Sequence, residues 1–197
     1  IYALDSTTIP TSMKLAAWAL GKYSKGAVKM HTLLDLRGSI PANIHITDGK
    51  WHDSNELDAL IPEPCAFYVM DKAYVDFEAL FRFHQAQAVW VSRPKGNMKF
   101  KTIEQLKIQN TKSGIIEDAR IRVTGYKTSK LYPEDMRFVR IYDPENDTIV
   151  DFISNNFDVS ALEITDLYRH RWDIEVFFKW IKQNIVFKDL WGIPKML

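Results

Sequence analysis

The sequence predicts an α/β fold, and three observations lead there. Apolar runs of strand length end at Asp5 and Asp71, a later segment alternates apolar and polar residues with period two, and one long helical pattern closes the chain. Strand and helix signals that alternate along a chain argue for a sheet covered by helices rather than an all-β or all-α domain.

The elements follow in order. "IYALDSTTI" is a short strand-like run ending at Asp5. "GAVKMHTLLDLRG" and "SIPANIHITDG" are separated by an Arg-Gly-Ser turn, which predicts antiparallel neighbours, with Asp35 as a turn residue. A helix opens at "DSNELDALI", where Asp53 and Glu56 have capping-box spacing. "CAFYVMD" is a continuous apolar run, as expected of a buried central strand, with Cys65 read as a small core residue. "DFEALFRFHQAQ" places Phe77, Leu80, Phe81 and His84 at helical spacing, and "AVWVSRP" is a further strand. "ARIRVTGY", "MRFVRIYD" and "TIVDFIS" then form a β-rich segment. "SALEITDLYRHRWDIEVFFKWIKQNI" predicts one long helix, with Ser160 as N-cap and Glu163 at its third position. The expected organisation is a first part of a core at 1–94, a basic β-rich insertion at 95–155, and a final helical piece at 156–197.

A chain of 197 residues can form one domain with an insertion, or two small ones. No apolar run approaches the length of a membrane span, and no export leader is evident. The single cysteine excludes an internal disulfide, and a cytosolic setting is expected. The chain opens at Ile1 in a strand-like run, as a fragment or processed piece would. Net charge is only +1, but it is unevenly spread. Residues 93–140 hold 12 Lys/Arg against 5 Asp/Glu, while both flanking segments are acidic. A local basic block is the electrostatic footprint of a polyanion partner, with a merely solvated surface as the alternative.

Asp5 and Asp71 each follow an apolar run, and ligands of open α/β sheets gather at strand ends. Paired carboxylates without a basic partner repel and call for a cation, and hard oxygen ligands suit Mg²⁺ or Mn²⁺. Glu175 supplies a third point. At about 100° per residue, Tyr168, Arg171, Glu175 and Lys182 share a helical stripe roughly 60° wide. Ile174, Phe177, Phe178, Ile181 and Ile185 fall on an adjoining face that can pack on the sheet. An Arg171–Glu175 pair at i, i+4 would explain two members of the stripe, but not its alignment with Tyr168 and Lys182. "HITDGKWHD" holds His45, Asp48, His52 and Asp53, for which turn and capping roles are preferred over a metal site. His170 is expected to be buried, and no nucleophile context supports a Ser-His-Asp reading.

The spacing Tyr168, two residues, Arg171, three residues, Glu175, six residues, Lys182 resembles the Y-(2)-R-(3)-E-(6)-K signature of bacterial insertion-sequence DDE transposases. Asp5 in "ALDSTTI" and Asp71 in "VMDKAYVD" resemble that family's two aspartates, and the similarity covers essentially the whole chain. The resemblance implies a ribonuclease-H-like fold, with a five-stranded mixed sheet in the order 3-2-1-4-5. Strand 2 would be antiparallel to its neighbours, helices would flank the sheet, and a β-rich insertion would precede the last catalytic helix. It implies DNA cleavage and strand transfer at transposon ends with two Mg²⁺ ions, or Mn²⁺ in their place, held by Asp5, Asp71 and Glu175. Tyr168, Arg171 and Lys182 would grip phosphates, and Trp172 would stack on a base or pack in the core. The implied partner is DNA, at transposon ends and target, bound by a homodimer or higher assembly in the bacterial cytoplasm. A DNA-binding region ahead of Asp5, which the family carries, is not seen in this sequence. Relatives that cut through a hairpin stack a flipped base on a Trp of the insertion. Here no Trp lies between Trp90 and Trp172, leaving Tyr126, Tyr132, Phe138 or Tyr142 as substitutes.

Overall fold

The computed structural model describes residues 1–11, 26–108 and 114–184. Ile185, expected on the packing face of the last helix, lies outside them. The first strands are β1 (Tyr2–Thr11), β2 (Gly26–Asp35) and β3 (Ile40–Asp48), followed by the short helix α1 (Glu56–Ala59). Strand β4 (Phe67–Met70), helix α2 (Phe77–Gln85) and strand β5 (Val89–Ser92) complete the first part. Then come β6 (Phe100–Gln105), β7 (Ile115–Val123), α3 (Thr128–Leu131), β8 (Met136–Asp143), β9 (Thr148–Ser154), α4 (Ala161–Arg169) and α5 (Arg171–Asn184).

The nine strands among the described residues join one sheet in the order β3-β2-β1-β4-β5-β9-β8-β7-β6. The expected 3-2-1-4-5 arrangement forms its first part, with β2 antiparallel to both β1 and β3, and β1-β4-β5 parallel. The sheet is larger than the five strands expected. β5 would otherwise leave an open row of amides and carbonyls, and β9 pairs with it antiparallel, Val91 opposite Ser154 and Ser92 opposite Ile153. Asn155 and Ser154 reinforce this seam, with Ser154 Oγ donating to Trp90 O at 2.7 Å and Asn155 Nδ2 to Ala88 O at 2.8 Å.

Period-two alternation sends side chains to two cores. Tyr2, Leu4, Tyr68, Met70 and Trp90 pack on one face with Leu57, Leu80 and Phe83. Ala3, Met30, Leu34, Val69 and Val91 pack on the other with Ile164 of α4 and with Ile174, Phe178 and Ile181 of α5. Burying each large apolar side chain of α5 contributes about 1.5–3 kcal/mol, which fixes the helix against β1. The start of α4 is held by the capping box, as Ser160 Oγ accepts from Glu163 N and Glu163 Oε2 accepts from Ser160 N. Behind it, the buried Arg137 guanidinium is bidentate to buried Asp118 at 2.7 and 2.8 Å and reaches the carbonyl of Val159.

Several expectations change. The closing helix is broken: His170 separates α4 from α5, bridged by a tighter bond from Asp173 N to His170 O. His170 is exposed rather than buried, and so is Cys65, whose φ of 61° places it in a turn before β4 rather than in the strand. Asp53 and Glu56 cap nothing; the caps of their helical turns are His52 and Asn55, without side-chain bonds. Asp48 and Asp35 do act as turn residues, accepting amides of Lys50 and Arg37. Among the described residues no helix is long and apolar enough to cross a membrane.

Candidate active site

Asp5 lies in β1, on the face covered by α5. It does not end its strand, because β1 continues to Thr11 along β2. What ends there is the other neighbour: parallel pairing with β4 stops at Leu4 opposite Met70. Asp5 and Asp71 are the next residues on the two strands, where the sheet opens. Asp71 caps a 3-10 turn at Lys72–Tyr74, accepting from Ala73 N at 2.9 Å.

From above, α5 brings Arg171 and Glu175 to Asp5. Arg171 Nη1 is 2.6 Å from Glu175 Oε1 and 3.3 Å from Asp5 Oδ2, so one nitrogen bridges two carboxylates. Burial drives the Asp5 carboxyl up to about 6, aided by the negative charges of Asp71 and Glu175, against the pull of the Ser6 amide and Arg171. One guanidinium therefore does not fully compensate the acidic cluster. Arg171 Nε is buried with no acceptor among the described residues, so this pairing leaves part of the fork unused.

The stripe survives the break at His170. Tyr168, on α4, packs its ring at a tilt against Phe152 and stays against Arg171, whose Cζ is 5.6 Å from the ring centre. Burial raises the Tyr168 hydroxyl above its usual range. Lys182 is exposed at the far end of α5, lining a cleft of about 560 Å³ with Asp5, Thr7, Glu175 and Lys179. Trp172 is 63% exposed, which removes its core alternative, and it lines a shallow pocket with Arg93, Tyr168 and Arg169.

Among the described residues no three acidic, His or Cys side chains converge closely enough to cage a metal ion. Arg171 stands between two of the three expected ligands.

The basic block is redistributed. Arg120, Arg137 and Arg140 pair with acids of neighbouring strands, and Arg122 with Asp135 just ahead of β8. Exposed Arg93, Lys99, Lys101 and Lys107 remain outside these pairs. Tyr132 and Phe138 are buried and unable to receive a flipped base, whereas Tyr126 and Tyr142 are exposed.

Sequence reasoning missed Asp53. Its Oδ1 accepts from Ser6 Oγ at 2.6 Å and lies 2.8 Å from Lys29 Nζ, on the sheet face opposite Asp5. Glu56, read as a cap partner, is buried and 2.7 Å from His45 Nδ1. Capping-box spacing hid both, and only the tertiary approach of β1, β2 and β3 reveals them.

A family profile described as "Transposase DDE domain" matches residues 1–187. The chain is 32% identical over 192 residues to a protein of Sinorhizobium fredii named as transposase y4zB, covering 96% of this chain and 53% of that protein. It is 28% identical over 190 residues to a protein of Geobacillus stearothermophilus named as a transposase for insertion sequence element IS5377, covering 96% and 49%. A Synechocystis protein named as a transposase for element IS4SA is 27% identical over 191 residues, covering 94% and 51%. The chain thus spans about half the length of the curated relatives it matches.

Proposed function

The chain belongs to the transposase DDE domain family, and from that premise we propose that it cleaves DNA and transfers strands at transposon ends, using Asp5, Asp71 and Glu175. The observation that carries this reading is the meeting of Asp5 with Arg171 and Glu175 beside the turn that Asp71 caps.

The donor set suits a divalent ion. Three carboxylates offer hard oxygens, and Asp5, only 19% exposed, sits where negative charge is in excess. Asp5, Asp71 and Glu175 would hold Mg²⁺, or Mn²⁺ in its place, as two ions. The ions would activate the attacking oxygen and stabilise the leaving one in phosphodiester displacement.

The remaining work falls to the chain's own side chains. Arg171 offers a planar fork to a phosphate, Lys182 a point charge at the mouth of the cleft, and Tyr168 a wall that fixes the guanidinium. Trp172 presents an exposed indole on which a base can stack. In this reading residues 1–94 and 156–197 make up the catalytic core, residues 95–155 form the insertion, and a homodimer or higher assembly forms on DNA in the bacterial cytoplasm.

Asp71→Asn removes a ligand charge while retaining an acceptor for Ala73. Cleavage and joining are expected to fall by a factor of about 100 or more, with an unchanged melting temperature. Retained activity in the folded variant would sink the triad.

A second reading has its own observation: Arg171 already pairs with both Asp5 and Glu175, as in a chain that only binds DNA. Mn²⁺ titration separates the two, since a binding module takes up no ion at these residues. Cleavage without joining would point to a structure-specific nuclease.

A further inference from the structure

We infer that Asp53 is a positioning residue, anchoring from the far side of the sheet the two segments that carry Asp5 and Asp71. The inference rests on the acidic-site reading above.

Asp53 sits in a 3-10 turn at Asp53–Asn55, just after the β3 hairpin. Its Oδ1 accepts from Ser6 Oγ at 2.6 Å and from the Tyr74 hydroxyl at 3.5 Å, and it pairs with Lys29 Nζ at 2.8 Å. Lys29 also donates to Trp51 O at 3.2 Å, which ties β2 to the loop delivering Asp53. Ser6 follows Asp5 directly on β1. Tyr74 completes the turn that Asp71 caps, and its side chain is wholly buried.

Alternation along a strand turns this into an orientation device. Asp5 and Ser6 point to opposite faces of β1, so a grip on Ser6 resists rotation of the strand and sets the direction of Asp5. The grip on Tyr74 does the same for the turn beginning at Asp71. One oxygen therefore references both carboxylates to a common point without touching either. Metal ligands held this way keep their separation when the ions' charge enters, and loss of such support typically weakens binding.

The test uses the intact chain and Mn²⁺ as the probe, read by its electron-spin resonance. Asp53→Ala and Ser6→Ala are each expected to weaken Mn²⁺ binding about 10-fold or more, and to lower kcat with little change in KM for DNA. Asp53→Asn, which keeps an acceptor for Ser6 and Tyr74, should recover much of the loss. Ile121→Val, a core change in the insertion, controls for lost stability and should leave Mn²⁺ affinity unchanged. If Asp53→Ala does not fold, Ser6→Ala and Asp53→Asn carry the test. Wild-type Mn²⁺ affinity in folded Asp53→Ala or Ser6→Ala overturns the positioning role, as does an equal loss in Ile121→Val. A wild-type chain that binds no Mn²⁺ overturns instead the acidic-site reading on which it rests.

Discussion

Arg171 and Asp5 stand 166 residues apart in sequence and meet with Nη1 3.3 Å from Oδ2. The same nitrogen is closer still to Glu175, so the guanidinium occupies the ground a cation would take between two carboxylates. In the proposed function arginine and a divalent ion would compete for that ground, and a DNA phosphate that draws Arg171 away would favour the ion. Arg171→Gln is expected to strengthen Mn²⁺ binding without DNA by up to about tenfold, roughly 1.4 kcal/mol, and to weaken DNA binding. Titrations with and without DNA check both arms, and weaker Mn²⁺ binding in the variant would rule out competition.

Asp5 makes stability depend on pH in an unusual direction. Its folded pKa of about 6 lies above the ordinary 3.8, so the native state holds its proton more tightly than the unfolded chain. Below about pH 4 both states are protonated and no penalty arises. As pH rises from about 4 to 6 the unfolded state ionises first and stability falls, by roughly 2 kcal/mol in all. Urea unfolding midpoints across this window should show that slope in the wild type and lose it in Asp5→Asn.

The pair Arg137–Asp118 is the buried strut behind α4. Removing one partner strands a charge, so Arg137→Met is expected to cost about 3–5 kcal/mol. The double change Arg137→Met with Asp118→Leu should recover most of it, read as the coupling in a double-mutant cycle. A double variant as unstable as the single one would contradict this account.

Lys182 is exposed and makes no ion pair among the described residues. Lys182→Ala is expected to leave melting unchanged and to reduce the slope of log affinity for DNA against log salt by about 1. An unaltered slope would remove Lys182 from the phosphate contacts.

Much of the architecture was legible because it rests on local patterns. The two sheet faces follow from alternation in β1, β2 and β4, and the start of α4 from Ser160 and Glu163. The interruption at His170 was not legible: neither Gly nor Pro marks it, and the helical stripe is nearly preserved across one tightened turn. Asp53 was misread for a related reason. An acid after a turn has the same local appearance whether it caps a helix or faces a lysine two strands away. Nor could alternation alone reveal that β9 would close the edge of β5, since that depends on where a distant strand docks. For the candidate site, the identities of Asp5, Asp71 and Glu175 stood out by position, whereas the bridging geometry of Arg171 needed the fold.

The seam between β5 and β9 also makes the insertion a detour with adjoining doors. The chain departs after Ser92 and is back beside Val91 at Ser154, fastened there by Asn155. From that doorstep the chain runs on into α4 and then α5. Changes in the turns that join the outer strands alter the sequence interval from Asp71 to Glu175 without moving the seam, whereas β7 and β8 also brace α4 through Asp118 and Arg137. The turns of the detour can therefore be remodelled while Asp5, Asp71 and Glu175 keep their spacing.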